Sequence, residues 1–514
     1  MIALQALGEL SPREVLSPAE ERFERIRRTV GLFLGPLAGL LVWLLPLSLE
    51  PRAHHLAAIL SWVVIYWVTE AIPIPITALL GPIFCILAAV GPAKDVLAPF
   101  ANPVIFLFIG SFFIAQAMLV QGLDRRMALA ILSRRWIGSS PARLMLAFGA
   151  ITGFLSMWMS NTATTAMMFP IAVGILGAVK GAAEKGQERV LSRYATGLML
   201  MVAYSASVGG IGTLVGTPPN LIGVGLIAQQ VGVKISFLQW MKFAVPLIVI
   251  MFVALFFLLY GLHPAGSLRL EALRDYLRKE RERLGKMSVG EKNAAFAFLV
   301  AVVLWVSPGV VALVTGTGSP AFRWFDERLP ESVVALVAAA LLFVLPVNWS
   351  QRRFTLDWNQ AAHIDWGTIL LFGGGLSLGD LMFKTGLADV LGRGLVTSLS
   401  LNTLWGLTAV ATALGIVVSE LTSNTASANM VIPVMIAMAK ALNVNPVPPA
   451  IAACLGASYG FMLPISTPPN AIVYGSGLVP ITRMIRAGIL FDILGFFLIW
   501  LGLRLLLPLL GMAG

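Results

Sequence analysis

From residue 29 onward, apolar runs of bilayer-crossing length follow one another with little relief, at about 29–49, 55–71, 74–92, 102–121, 236–261, 293–314, 332–347, 366–384 and 487–511. A hydrocarbon core about 30 Å thick takes roughly 20 helical residues, so runs of this kind read as membrane-crossing helices. Composition agrees: 12% of the 514 residues are charged and 58% are hydrophobic, and the mean hydropathy is +0.86, whereas soluble domains carry about 25% charged residues. A water-soluble enzyme does not fit these figures, nor does a division by length into three or four soluble domains. The chain reads as one polytopic, all-α membrane protein.

Four further runs are apolar but interrupted. Run 144–179 carries Ser160-Asn161-Thr162, and run 403–440 carries Ser423-Asn424-Thr425; each is too long for one ordinary helix and is cut where a helical hairpin would turn. Run 194–227 is broken by Gly209-Gly210, Gly212 and Gly216-Thr217-Pro218-Pro219-Asn220, and run 448–478 by Ser466-Thr467-Pro468-Pro469-Asn470. Phe108, Gly110 and Gly122-Leu123 return 264 positions later as Phe372, Gly374 and Gly386-Leu387. Ser160-Asn161-Thr162-Ala163 returns 263 positions later and Thr217-Pro218-Pro219-Asn220 returns 250 positions later, the shorter offset reflecting extra polar residues around Glu184 to Arg193. Three motifs recurring in one order mark an internal duplication.

The net charge of +11 lies in the segments between spans rather than on one basic face with interleaved aromatics, which points to a lipid surface and away from nucleic acid. With a cytoplasmic N-terminus, eleven spans and two re-entrant hairpins put segments 1–28, 123–143, 180–193, 263–292, 349–365 and 483–486 inside. Those segments hold 26 of the 36 Lys and Arg, as the positive-inside rule requires. An odd number of spans inverts the second half relative to the first, the architecture of alternating-access carriers. Residues 12–28 read as a short surface helix or an unstructured tail, and the run LRDYLRKERERLGK within 263–292 as a solvated helix joining the halves. Cys85 and Cys454 lie in apolar runs and offer no disulfide framework or metal spacing. His54, His55, His263 and His363 are too scattered for a zinc site, and Glu9, Glu14, Glu20 and Glu21 ahead of the first run are unlike a cleavable signal peptide.

In hydrocarbon, an interrupted helix leaves amides and carbonyls that protein, water or a ligand must satisfy, so matched breaks in both halves point to a binding site. Proline frees carbonyl oxygens in its own turn. Ser and Asn add neutral oxygens of the kind a weakly held alkali ion needs, and the helix starting after each break offers an anion free amides and a positive dipole end. A lone SNT would read as a small-residue helix contact and a lone TPPN as a kink; duplication turns both toward a site. Glu70, Asp380 and Glu420 lie within apolar segments, each readable as a proton or cation site or as a packing element. Met157, Trp158 and Met159 read as packing. No Arg or Lys is close in sequence to any of the four motifs, so a bound anion would rely on amides, hydroxyls, helix ends and co-bound cations.

These motifs resemble the divalent anion/sodium symporter family, whose members carry dicarboxylates, citrate or sulfate. The resemblance extends to ASYGFMLPIS at Ala457–Ser466 with the following TPPNAIV, to TEAIPIPITALL at Thr69–Leu80 and to LLFGGGLSLG at Leu370–Gly379, and so spans nearly the whole chain. It implies a homodimer whose scaffold holds the dimer while a transport domain moves as an elevator. On that plan an N-terminal segment (1–28) is followed by scaffold helices and the start of the transport domain (29–122). The amphipathic helix, first hairpin and broken helix (123–227), a closing span (228–262) and a cytoplasmic linker (263–292) come next. Scaffold helices of the second half (293–365), the second hairpin and broken helix (366–478) and a last span (479–514) complete the chain. By motif position, the resemblance implies a first sodium site of Ser156, Ser160, Asn161 and Gly216, and a second of Ser419, Thr422, Asn424 and Ser466. It implies substrate contacts from Asn161, Thr162, Thr217, Asn424, Thr425, Thr467 and Pro468. Two departures bear on the second cation site and on stoichiometry: Ser419 and Thr422 stand where relatives often have Thr and Ala, and the second cluster reads SNTAS rather than SNTAT.

The expected protein is a carrier, not an enzyme: a multi-pass plasma-membrane symporter, in a bacterial inner membrane, of sodium and C4-dicarboxylates such as succinate, malate or fumarate. Its partners are then a dianionic carboxylate, sodium as co-transported ligand, lipid and a second copy of itself, with no other cofactor. A sodium-independent dicarboxylate exchanger, or a sodium-coupled citrate or sulfate carrier, remains open. A channel would need a continuous polar pore, and an intramembrane enzyme a nucleophile with its base or a metal motif such as HExxH or GxSxG, neither of which the chain contains.

Overall fold

The structure is a computed structural model that describes residues 18–134, 137, 140–181, 187–266, 271–316 and 318–512; the expectations for residues 1–17 lie outside these. The fold is nearly all helix. The first half comprises α1 (Pro18–Leu44), α2 (Pro51–Thr69), α3 (Ile74–Leu87), α4 (Pro103–Gln121), α5 (Leu123–Leu132), α6 (Pro141–Ser156), α7 (Asn161–Gly181), α8 (Glu188–Gly210), α9 (Pro218–Val231) and α10 (Phe237–Leu262). A linker helix α11 (Glu271–Arg283) leads to α12 (Val289–Thr315), α13 (Glu331–Val344), α14 (Trp366–Lys384), α15 (Leu387–Leu399), α16 (Leu404–Leu421), α17 (Asn424–Ala441), α18 (Val447–Gly456), α19 (Pro468–Tyr474) and α20 (Ile481–Leu509).

Boundaries follow local chemistry. Asn102 Oδ1 accepts from Val104 N at 2.9 Å to open α4, and Ser236 and Ser288 open α10 and α12 with reciprocal capping boxes, each satisfying amides that a helix start leaves free. Gly122 at φ 74° and Gly386 at φ 75° make the same left-handed turn after α4 and α14, a conformation that costs a residue with a Cβ. The duplicated glycine thus makes the same corner twice.

Eight helices among the described residues are long and apolar enough to cross a bilayer. Two of them, Asn161–Lys180 and Leu404–Leu421, are arms of the expected hairpins. The count of eleven from the sequence also includes α2, the shorter α3 and α13, and the two broken spans.

The halves interlock. α4 of the first half packs on α13 of the second, and α14 of the second packs on α3 of the first; α9 packs on α17 and α18, and α19 packs on α7 and α8. This reciprocity is what two copies of one unit related by a pseudo-twofold produce.

Three local expectations change. α1 runs unbroken from Pro18, so residues 18–28 open the first spanning helix instead of forming a separate surface helix, and Arg27 and Arg28 meet Glu70 at 3.5 Å. α20 starts at Ile481, which puts Arg483 and Arg486 in its first turns rather than in a loop. The linker is docked, not merely solvated. Arg126 of α5 donates from Nε to Glu291 at 2.7 Å and also holds the Leu284 and Gly285 carbonyls, Arg125 reaches Glu280 at 2.8 Å, and Leu277 is buried.

Candidate functional site

Each SNT cluster is a helix break. α6 ends at Ser156 and α7 begins at Asn161; α16 ends at Leu421 and α17 begins at Asn424. In the first break Ser156 Oγ donates to Asn161 Oδ1 at 2.8 Å, and in the second Ser419 Oγ donates to Asn424 Oδ1 at 2.8 Å and to the Ala457 carbonyl at 2.8 Å. Ser156 and Ser419 are fully buried, while both asparagines are half-buried.

Each TPPN cluster closes a break in the partner helix of its own half, and its asparagine staples that break. Asn220 Nδ2 donates to the carbonyls of Gly210 at 2.9 Å and Thr213 at 2.7 Å; Asn470 Nδ2 donates to those of Gly460 at 2.9 Å and Leu463 at 3.0 Å. The spacings, ten and seven residues back, are identical in the two halves. Both asparagines are fully buried, so these bonds satisfy carbonyls that would otherwise be stranded in an apolar interior.

Hairpin tip and break touch. A Cβ placed on Gly210 would stand 2.3 Å from Asn161 Oδ1, and one on Gly216 would stand 2.8 Å from the Ser156 carbonyl. A Cβ on Gly460 would stand 3.3 Å from Ser419 Oγ, 3.4 Å from Asn424 Oδ1 and 3.2 Å from Ser466 Cβ. Ser156, Asn161 and Gly216 therefore converge on one point with Gly210, and Ser419, Asn424 and Ser466 on its counterpart with Gly460. Ser160 instead caps α7, accepting from Ala163 N at 3.2 Å. Thr422 donates from Oγ1 to the Ser423 carbonyl at 3.2 Å.

The two convergence points are neighbours. Cys454, just before the second break, donates from Sγ to the Pro219 carbonyl at 3.0 Å, and Tyr204, just before the first, donates to the Phe461 carbonyl at 2.6 Å. Of the expected substrate contacts, Thr162 and Pro468 are exposed, Asn161 and Asn424 half-buried, and Thr217, Thr425 and Thr467 buried. Thr467 Oγ1 is engaged as the cap of Asn470 N at 3.3 Å. Helices α7, α9 and α17 start at these motifs and direct amides and the positive dipole end toward them, while α19 has only 7 residues.

The halves differ in charge. Glu420 is buried, and its carboxylate accepts from Phe461 N, from Met462 N at 2.8 Å and from Ser466 Oγ at 2.6 Å, so it braces the second break. At the matching place in the first half, the Met157 carbonyl accepts from Thr213 Oγ1. Asp492 of α20 is buried beside Glu420. Sequence reasoning missed Asp492, although a lone aspartate inside the apolar run 487–511 was the signal for it. Glu70 pairs with Arg27 and Arg28, and Asp380 with Lys384 at 2.6 Å, so both are structural. Trp158 stacks on Phe237 with ring centroids 6.1 Å apart, a packing role as expected.

A helical membrane unit built from two interlocked copies, each with a broken hairpin facing a broken span, is the architecture of a secondary carrier. Residues 27–512 match the family model described as the sodium:sulfate symporter transmembrane region, and the chain belongs to that family. It is a multi-pass membrane transport protein, not an enzyme. It is 35% identical over 497 residues to the sodium-dependent dicarboxylate transporter SdcS of Staphylococcus saprophyticus, covering 95% of this chain and 93% of the relative. It is 32% identical over 490 residues to SdcS of Staphylococcus aureus, covering 93% and 91%. Among solved structures, MtrF of Neisseria gonorrhoeae, described as one of a class of antimetabolite efflux pumps, aligns with a TM-score of 0.52 at 14% identity over 82% of this chain and 87% of its own, a likeness of fold.

Proposed function

We propose that the protein is a sodium-coupled symporter of C4-dicarboxylates such as succinate, malate and fumarate at the plasma membrane, working by elevator motion of the duplicated hairpin unit within a homodimer. The observation that carries this reading is the repeated Ser-Asn-Gly convergence, Ser156, Asn161 and Gly210 in one half and Ser419, Asn424 and Gly460 in the other. The names of the 32–35% identical relatives supply the substrate class.

The mechanism follows from charge. A dianion entering a site whose four motifs have no Lys or Arg close in sequence faces a desolvation penalty that hydroxyls and helix ends offset only in part. Sodium held at each hairpin tip by Ser, Asn and backbone oxygens adds positive charge beside the carboxylates and ties each tip to its facing break. The dicarboxylate then docks against Asn161, Thr162, Asn424 and Pro468, and the two sodium charges offset its own. Sodium and substrate thereby each favour the state that binds the other.

The test is uptake of labelled succinate into proteoliposomes with an inward sodium gradient, with potassium in its place, and with internal succinate but no sodium. Uptake that needs sodium is expected; uptake driven by internal succinate alone would overturn the coupling. Replacing Asn161→Ala together with Asn424→Ala is expected to abolish uptake, and unchanged transport would remove the site assignment.

A further inference from the structure

At the face read as cytoplasmic, α8, α20 and the end of α10 bring together charges that the transport site does not use. Arg193 lies in the first turns of α8, and Arg483 and Arg486 in the first turns of α20. Arg483 Nη1 donates to Thr196 Oγ1 at 3.1 Å, and Thr196 Oγ1 donates in turn to the Leu478 carbonyl at 2.9 Å, which ties the start of α20 and the turn before it to α8. His263, the first residue after α10, packs against Gly197, where an added Cβ would meet its Cβ at 2.7 Å. The imidazole is buried and its Nε2 has no partner. Burial, with Arg483, Arg193 and Arg486 adding to it, pushes the His263 pKa down to about 4, so this ring is neutral amid three guanidiniums. Among the described residues no carboxylate pairs with any of the three arginines. Arg193 and Arg486 are exposed and Arg483 is half-exposed.

Depth and shape narrow the ligand. Arg486 and Arg504 lie on α20 about 27 Å apart along the axis, close to the thickness of the hydrocarbon core, which sets Arg486 at headgroup level. Directly along the same face from Arg486, at helical spacing, run Ile489, Leu490, Ile493 and Phe497, all 40–55% exposed. We propose that Arg193, Arg483 and Arg486 bind the phosphate of an anionic phospholipid headgroup whose acyl chains lie along Ile489, Ile493 and Phe497. Planar guanidiniums match phosphate oxygens in bidentate geometry, and basic pockets between spans at this face suit such headgroups. A soluble phosphate would meet the same guanidiniums but would leave the apolar stripe unused.

The test compares the full-length protein with Arg193→Gln/Arg483→Gln/Arg486→Gln and with a charge-matched control, Arg278→Gln/Lys279→Gln/Arg281→Gln, in phosphatidylcholine nanodiscs. Cardiolipin or phosphatidylglycerol is titrated in, and bound lipid is counted by native mass spectrometry alongside the apparent unfolding temperature. Wild type and control are expected to bind the anionic lipid alike, and the triple variant at least about tenfold more weakly, since loss of even one of the three charge-assisted contacts is of that scale. Equal weakening in the control, or wild-type affinity in the triple variant, would overturn the site. An equal unfolding shift from inorganic phosphate would overturn the lipid assignment in favour of a soluble anion. Should the triple variant not purify as a folded species, Arg486→Gln alone, at an exposed position, is read against the same outcomes.

Discussion

Gly210 and Gly460 hold matching positions in the two halves but not matching space. A methyl on Gly210 would press to 2.3 Å on the Asn161 oxygen, whereas one on Gly460 would stay 3.4 Å from the Asn424 oxygen. The first contact requires Asn161 or its backbone to move; the second is ordinary van der Waals distance, and the nearer neighbours of a methyl on Gly460, Ser466 Cβ at 3.2 Å and Ser419 Oγ at 3.3 Å, need give way by only a few tenths of an ångström. Overpacking of the first kind costs about 1–3 kcal/mol. Gly210→Ala is therefore expected to raise the sodium concentration for half-maximal succinate uptake about tenfold or more, and Gly460→Ala to change it by less than about threefold. A sodium titration of uptake in both variants checks this, and equal effects would separate Asn161 from the cation site.

Among the elements, the amphipathic helix α5 and the linker behave as one clamp on the first hairpin. α11 packs on α5 and α7, and Tyr276 lies so close to Gly174 that an added Cβ there would collide with its hydroxyl. Inside this clamp Asp124 is 2% exposed with one oxygen unpartnered, and burial, opposed in part by the Arg125 amide, pushes its carboxyl up to about 6. The unfolded carboxyl titrates near 3.8, so the folded state holds the proton more tightly. Below about pH 4 the two states are protonated alike and burial of the charge costs nothing. The cost grows as pH rises toward 6 and is constant above it, about 3 kcal/mol at most. Asp124→Asn, which keeps the oxygen that accepts from Arg125 N at 2.7 Å, is expected to raise the apparent unfolding temperature at pH 7.5 and to match the wild type near pH 4. A gain that did not vary with pH would show that another contact is responsible.

For the whole molecule, interlocking of the halves makes the two points where hairpin tip and break converge a single unit. Cys454 touches Pro219 and Tyr204 touches Phe461, so ordering one break bears directly on the other. Reciprocal linkage then requires that sodium tighten succinate by the same factor as succinate tightens sodium. Isothermal titrations of each ligand at fixed levels of the other are expected to return one common factor well above 1; a factor of 1 would show that the two ligands bind without coupling.

Much of this was already readable along the chain. Spans, hairpins and breaks follow from local chemistry: long apolar runs have one stable form in lipid, and Ser-Asn or Pro-Pro interrupts it wherever it falls. The duplication was visible as spacing, whereas the grouping of Ser156 with Asn161 and of Ser419 with Asn424 came from the family resemblance alone. Thr422, by contrast, shares the motif but turns to its neighbour's carbonyl, since a hydroxyl at a helix end can satisfy backbone locally. The helical extent of Arg483 and Arg486 was hidden because charged residues read as loop, although a helix continues past the hydrocarbon while its side chains reach water. Asp492 against Glu420, Asn220 and Asn470 as staples, the docking of α11 and the Arg193, Arg483 and Arg486 cluster all join residues far apart in the chain or depend on which way a side chain faces. Composition and spacing act over a few turns of helix; contacts across hundreds of residues exist only once the two halves have packed into each other.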